Sequence, residues 1–357
     1  MKRFLFILLI MLPYAAVAQP AEVIVRLEPG AVDLRRAMDG GKAAADIAPD
    51  LLDGVSRTAP VFARSAAKSG GTSIPAYVLT LRDSTRISDV VSAWRGRGDV
   101  RYVQENVVFS VERSAATSAR RLRLLHAADP DNAFADSLDH LDVIRAREAQ
   151  QITEGEPSVR IGIIDTGIDL NHPDLAGQSY VNPAEDLNGN GRFDVSDFNG
   201  IDDDGNGFVD DVAGYDFVDR PGLDLIGEYE DRDPDARPDT SGGISGHGTF
   251  VAGITSGRPA DPSRGVLGVA PGARFVSLRA FGADGRGQTD DIAAAIVYAA
   301  EEGYEVINLS FGRDRPSPLI EEAVRYAATR GVVIVASAGN QATDDAHYPS
   351  DYPDVIS

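Results

Sequence analysis

Hydrophobic positions fall into two textures along the chain. Between residues 22 and 112 they come in short, mixed runs: 21–27 (AEVIVRL) alternate imperfectly like a strand, 76–81 give a second strand, 88–95 carry helical spacing and 100–103 are strand-like again. This predicts a small α+β domain. From Asp129 onward, apolar runs at 159–164, 274–278, 306–309 and 332–336 read as buried strands, with helical patterns at 290–302 and 318–330 between them. Those helical patterns run into Gly303 and Gly331, and glycine stops helices because it accepts a left-handed backbone. Strands alternating with helices predict an α/β domain with a mostly parallel sheet and helices on both faces. In such sheets chemistry gathers at the carboxyl ends of the strands.

The amino terminus has a different character. Lys2 and Arg3 precede an apolar run at 4–12 and then Ala16-Val17-Ala18, the pattern of an export signal over residues 1–18. The run falls short of the roughly 20 residues that cross a bilayer, so a secreted protein, extracellular or periplasmic and free of the membrane once the signal is removed, is expected. Residues 113–128 hold Arg113, Arg120, Arg121 and Arg123 among Ser and Ala with no core-forming period, a linker open to proteolytic processing. The expected layout is signal 1–18, a first domain 19–112, linker 113–128 and a second domain 129–357.

Composition narrows the chemistry. The 357 residues carry 34 Lys and Arg against 55 Asp and Glu, a net charge of −21, which argues against nucleic-acid partners. The absence of cysteine excludes disulfides, thiolate nucleophiles and Cys-ligated zinc. Most of the negative charge sits at 185–239, where 18 acidic residues face 4 basic ones. Within it, Asp186, Asn188, Asn190, Arg192, Asp194 and Asp197 occupy positions 1, 3, 5, 7, 9 and 12 of a loop with Gly191 at position 6, the spacing of an EF-hand calcium loop apart from Asp at the end. Asp202, Asp204, Asn206 and Asp210 repeat positions 1, 3, 5 and 9, but position 12 is Ala213, so the closing ligand is absent or comes from elsewhere, with Asp211 a candidate. The first loop is the stronger candidate on spacing. Structural Ca²⁺ is the expected cofactor; the plain alternative is a solvated acidic loop.

Three further motifs carry candidate chemistry. Asp165 in Asp165-Thr166-Gly167 ends the 159–164 strand; His247 in Gly246-His247-Gly248-Thr249 opens a helical stretch between glycines that permit close approach; Asn340 in Ser337-Ala338-Gly339-Asn340 follows the 332–336 strand. Each alone is an ordinary turn or cap. A buried carboxylate, an imidazole and an amide donor are also what nucleophilic catalysis by a serine requires.

In order and spacing these motifs resemble the subtilisin-like serine proteases over about 129–357. His172-Pro173-Asp174-Leu175, Gly265-Val266-Leu267-Gly268-Val269-Ala270-Pro271 and Ile307-Asn308-Leu309-Ser310-Phe311-Gly312 reinforce the likeness. The resemblance implies a three-layer subtilisin-like fold, with His247 as general base, Asp165 orienting it and Asn340 in the oxyanion hole. It further implies that Ser310, Phe311 and Gly312, with Gly285 to Gly287, offer edges to an extended polypeptide substrate. Residues 19–112 then resemble the family's inhibitory propeptide, an intramolecular inhibitor and folding aid.

The nucleophile has no match: after Asn340 the serines are Ser350 and Ser357, neither in a Gly-Thr-Ser-Met-Ala-like context. Ser73, in Gly71-Thr72-Ser73-Ile74-Pro75, precedes Asp165 and is followed by Pro75, which opposes a helix. The expectation is a serine endopeptidase whose nucleophile lies beyond residue 357. The alternative, if the protein ends there, is a non-catalytic calcium-binding secreted scaffold. A metal-dependent hydrolase is a third reading, but an oxygen-only ligand set without histidine suits Ca²⁺ rather than catalytic Zn²⁺.

Overall fold

The computed structural model describes residues 21–29, 31, 54–62, 74–111, 139–218, 232–240, 244–259, 261 and 265–357. The leader, the 113–128 linker and Gly71-Thr72-Ser73 lie outside them.

In chain order the elements are β1 (Glu22–Leu27), β2 (Val55–Pro60), β3 (Ala76–Leu81), α1 (Ile87–Arg95), β4 (Val100–Glu105), β5 (Val108–Val111), α2 (Asp139–Val143), α3 (Ala146–Gln150), β6 (Arg160–Asp165), β7 (Gly214–Asp216), α4 (His247–Ser256), β8 (Arg274–Arg279), β9 (Arg286–Gln288), α5 (Thr289–Glu301), β10 (Val306–Leu309), β11 (Phe311–Gly312), α6 (Pro318–Thr329), β12 (Val333–Ala336) and β13 (Val355–Ile356). They build three sheets.

The six-stranded sheet has the order β13-β12-β10-β6-β8-β7, and every neighbouring pair is parallel. Its strands are apolar on both parities because both faces are covered. Ile161 and Ile163 of β6 pack with Val251 and Ala252 of α4 on one side, whereas Ile164 joins the larger core with α5 and α6 on the other. Three layers result, and the carboxyl ends of β6, β10 and β12 share one edge. The α6 terminus follows from its sequence: Ser317 caps the helix by accepting from Ile320 N, and Pro318 stands in the first turn, where its missing N–H costs nothing.

The first domain is an antiparallel sheet, β2-β3-β1-β4, with α1 against one face. Val23, Val25 and Leu27 of β1 pack with Val90 and Trp94 of α1, while Ile24 points the other way into the core of the second domain. The imperfect alternation of 21–27 thereby finds its cause: both faces of β1 are buried, one by its own helix and one by its neighbour. β5 leaves this domain and completes a third sheet, β11-β5-β9, whose outer strands belong to the second domain.

Candidate active site

β6 delivers Asp165 to the carboxyl edge, where its side chain is fully buried. Its Oδ1 accepts from Thr166 N (2.7 Å), and its carbonyl accepts from Ala280 N (3.0 Å) and Phe281 N (3.2 Å), which locks the strand end to β8. α4 starts at His247, whose Nδ1 lies 2.8 Å from Oδ1 and 2.9 Å from Oδ2 of Asp165. A carboxylate can only accept, so Nδ1 carries the proton, and in the neutral ring Nε2 keeps its lone pair for another group. The flanking glycine has a steric reason: a Cβ on Gly248 would run into Gly167 O and stand 3.2 Å from Asp165 Cβ. Gly248 N donates to Thr166 Oγ1 (3.1 Å), and Thr166 Oγ1 donates to Ser245 O (3.0 Å), which ties helix to strand.

Asn340 follows β12 through Gly339, a left-handed residue with φ +87°. It stands on the same edge as Asp165, two strands along the sheet, and is exposed. Ser310, between β10 and β11, accepts from Asn308 Nδ2 (2.8 Å).

The predicted edges are not bare. β5 lies antiparallel between them, with Val111 opposite Phe311, Ser110 opposite Gly312 and also opposite Arg286, and Phe109 opposite Gly287. Val111 N donates to Gly285 O (2.9 Å). Phe109 is fully buried edge-to-face on Phe311 (5.9 Å), which also packs against Phe281 (4.8 Å), while the Arg313 guanidinium sits 5.4 Å over the Phe109 ring.

A sequence profile described as the subtilase family matches residues 156–357. The chain belongs to the subtilase family. It is 31% identical over 270 residues to the thermophilic serine proteinase of Bacillus sp. (strain AK1), covering 76% of this chain and 51% of that one. It is 32% identical over 213 residues to thermitase of Thermoactinomyces vulgaris, covering 60% and 58%. The chain thus spans about half the length of the Bacillus relative. Fervidolysin from Fervidobacterium pennivorans, a solved keratinolytic enzyme related to subtilisin, shares the fold: TM-score 0.53 at 22% identity, covering 95% of this chain and 43% of that one.

Two motifs that carried the subtilase likeness serve the scaffold. Asp174 of His172-Pro173-Asp174-Leu175 accepts from Val266 N of the Gly265–Pro271 stretch (2.9 Å), while His172 Nδ1 accepts from Asp174 N (3.2 Å) and closes a local turn. Sequence reasoning passed over His347. Its ring lies against Gly312 and Gly339, and its Nδ1 is 2.8 Å from Ser350 Oγ. Ser350 itself is buried and donates to His347 O (2.9 Å). The glycines at 312 and 339 were the only signal that something bulky fills that gap.

The acidic insert departs from expectation. In the first loop, Asp186 accepts from Asn190 N (3.2 Å) and Gly191 N (2.8 Å), and Asn188 Nδ2 donates to Asp194 (3.0 Å) and Asp197 (2.8 Å). A carboxylate cluster joins the second loop to Glu185, just ahead of the first. Among the described residues, Glu185, Asp204 and Asp211 bring carboxylate oxygens within 4.8 Å of one another, a grouping that the first-loop carboxylates do not form. Asp202 accepts from Gly205 N (2.6 Å), Asn206 N (3.0 Å) and Gly207 N (2.9 Å), shaping the turn. Asp210, placed among the ligands by spacing, lies outside the trio: it accepts from Asn199 N and Gly200 N, both at 2.8 Å, and closes a different turn. Asp211 takes its place, held by Tyr298 Oη of α5 (2.6 Å) and Asn206 Nδ2 (2.8 Å).

Glu185 was missed because it precedes both loops. It is fully buried, Oε1 accepts from Asp203 N (2.9 Å), and Oε2 is enclosed with no hydrogen-bond donor. Burial, with the like charges of Asp211 and Asp203 adding to it, pushes Glu185 up to about 7; burial, with Glu302 and Asp204, does the same for Asp211. An oxygen-only, over-charged trio with an orphaned buried oxygen fits a hard divalent cation such as Ca²⁺. No helix among the described residues is long and apolar enough to cross a membrane.

Proposed function

We propose that this chain is the amino-terminal part of a secreted serine endopeptidase, synthesised with its own inhibitory domain and stiffened by Ca²⁺. The observation that carries the reading is the Asp165–His247 pair at 2.8–2.9 Å, with an extended strand of the same chain laid between the two edges beside it. His247 would take the proton of a serine hydroxyl at Nε2 and later return it to the leaving amine. Asp165 would hold the tautomer and stabilise the imidazolium. Asn340, on the same edge, would donate to the oxyanion from its side-chain amide. The nucleophilic serine is expected after Asn340, beyond residue 357, as the subtilase likeness implies.

Residues 19–112 serve as the intramolecular inhibitor: β5 takes the place of a polypeptide substrate strand, using Phe311 and Gly312 on one side and Gly285 to Gln288 on the other. Glu185, Asp204 and Asp211, with Asp202 and Asn206 beside them, would hold Ca²⁺. The first loop, Asp186, Asn188, Asn190, Arg192, Asp194 and Asp197, is a second, more open place for one. The ion would supply structure alone, by neutralising carboxylates that otherwise repel. Export through the 1–18 signal supplies the compartment.

The test is fluorophosphonate labelling and peptide hydrolysis by the gene product that contains this chain. Labelling and turnover that both vanish in His247→Ala support the reading. Absence of both in the wild-type protein, or turnover untouched by His247→Ala, refutes it.

A further inference from the structure

Apart from the β5 pairing, the two domains meet at a second place. The outward face of the first domain's sheet rests on α6, and there the carboxylate of Glu322 gathers donors from two neighbouring strands. Arg26 of β1 approaches it with Nε at 3.0 and 3.2 Å and Nη2 at 2.8 Å, a forked arrangement. Tyr102 of β4 donates from Oη at 2.9 Å, and Arg101 Nη1 stands at 3.7 Å. Arg26 and Tyr102 are register partners across the β1–β4 pair, so their side chains leave the sheet on one face, side by side. The Arg26 side chain is 4% exposed and that of Glu322 17%. Gln104, on the same strand as Tyr102, accepts from Leu319 N (3.1 Å) at the start of α6.

This contact differs in kind from the strand in the cleft. β5 is held by main-chain pairing, which any extended peptide can reproduce, together with the one buried ring of Phe109 against Phe311. A forked guanidinium on a carboxylate is selective for geometry, and breaking it from one side leaves a partly buried charge without its partner.

We infer that Glu322 is the recognition anchor by which the peptidase domain holds its own amino-terminal domain, so that this domain stays bound after the connecting chain is cut. The inference rests on the reading of residues 19–112 as a separable inhibitory domain. It assigns selectivity for the partner to a face of α6 rather than to Asp165 and His247, and it identifies the partner's matching chemistry as an Arg–Tyr pair on adjacent strands.

The experiment nicks the purified full chain with trypsin at the arginines of 113–123 and follows the two fragments by gel filtration and mass spectrometry. Wild-type fragments should co-elute. Glu322→Gln, which keeps shape but removes charge, should weaken the association by roughly a hundredfold or more, the scale of breaking a partly buried ion pair. Tyr102→Phe, which removes one hydroxyl, should give a smaller loss in the same direction, and Arg26→Glu with Glu322→Arg should restore part of it. Hydrogen exchange on intact chains, read at β1 and β4, gives the same comparison should a nicked variant precipitate. Wild-type fragments that separate at once would sink the reading of a tightly held domain. Glu322→Gln and Tyr102→Phe fragments that hold as firmly as wild type would overturn the role of Glu322 alone.

Discussion

The two domains place their polar contacts differently, although Thr80 (3.0 Å) and Asn106 (2.8 Å) of the first domain also donate to Glu22 within it. In the peptidase domain the partners are internal: Asp165 with His247, Asp216 with Arg279, Asp211 with Tyr298. In the amino-terminal domain several lie across the boundary: Arg26 and Tyr102 on Glu322, Gln104 on Ser317 and Leu319, Asn106 on Asp290 (2.8 Å). A domain whose polar side chains are completed by a neighbour depends on docking for part of its stability, because unpaired groups at that face would have to be rehydrated. The first domain has its own small core around Trp94, but one sheet face belongs to the interface.

The sharpest way to separate the two patterns is Asp165→Asn in the gene product that contains this chain. It should lower kcat on the order of 10⁴-fold through the wrong imidazole tautomer, while a trypsin-nicked chain keeps its amino-terminal fragment. Peptide hydrolysis and gel filtration read the two halves of that expectation. Next, Phe109→Ala removes a fully buried ring from the boundary and should destabilise the docked state by about 3–5 kcal/mol, seen in chemical denaturation of the full chain. On the proposed Ca²⁺ reading, EGTA acts on the peptidase domain instead. At saturating ion, about 100 times Kd, the expected loss per site is about 2.7 kcal/mol, and Asp211→Asn should reduce the EGTA response while leaving β1 exchange unchanged.

The smallest effect is a pH dependence at the boundary. Burial raises the Glu322 carboxyl, but the Arg26 hydrogen bond and charge, with Tyr102 and Arg101, outweigh it and leave the group below its ordinary value. A carboxyl depressed on docking contributes stability above its free value and loses it as pH falls through the docked one. Hydrogen exchange in β1 should therefore rise on acidification below the usual carboxylate range, and less than in Glu322→Ala, since a protonated Glu322 still offers an acceptor.

The parts legible in the sequence were those set by local pattern. β6, β8, β10 and β12 matched apolar runs, and α5 and α6 matched their helical spacing to within a residue or two, because burial on both faces forces a continuous apolar signature. Asp165 and His247 were legible as motifs, since glycines fix where the backbone must approach closely. β9 (Arg286–Gln288) and β11 (Phe311–Gly312) were not legible as strands; three and two residues carry no period, and their pairing comes from a distant β5. Glu185 escaped, and Asp211 was legible only as a candidate closing ligand, because the grouping of these carboxylates is decided by folding of the insert onto α5, not by loop spacing. Glu322 gave no signal at all: one acid on an exposed-looking helix face becomes central only when Arg26 arrives from 296 residues away.

The brevity of β9 and β11 has a consequence for what could be cut. Neither edge alone could hold a peptide, so a guest must satisfy both at once, with its main chain drawn straight and reachable from two sides. A helix cannot do this, and a strand already paired in its own sheet offers only one side. Susceptibility of a protein to such a cleft would follow how often a loop can be pulled out straight, an equilibrium of local opening in the target, before any side chain is read.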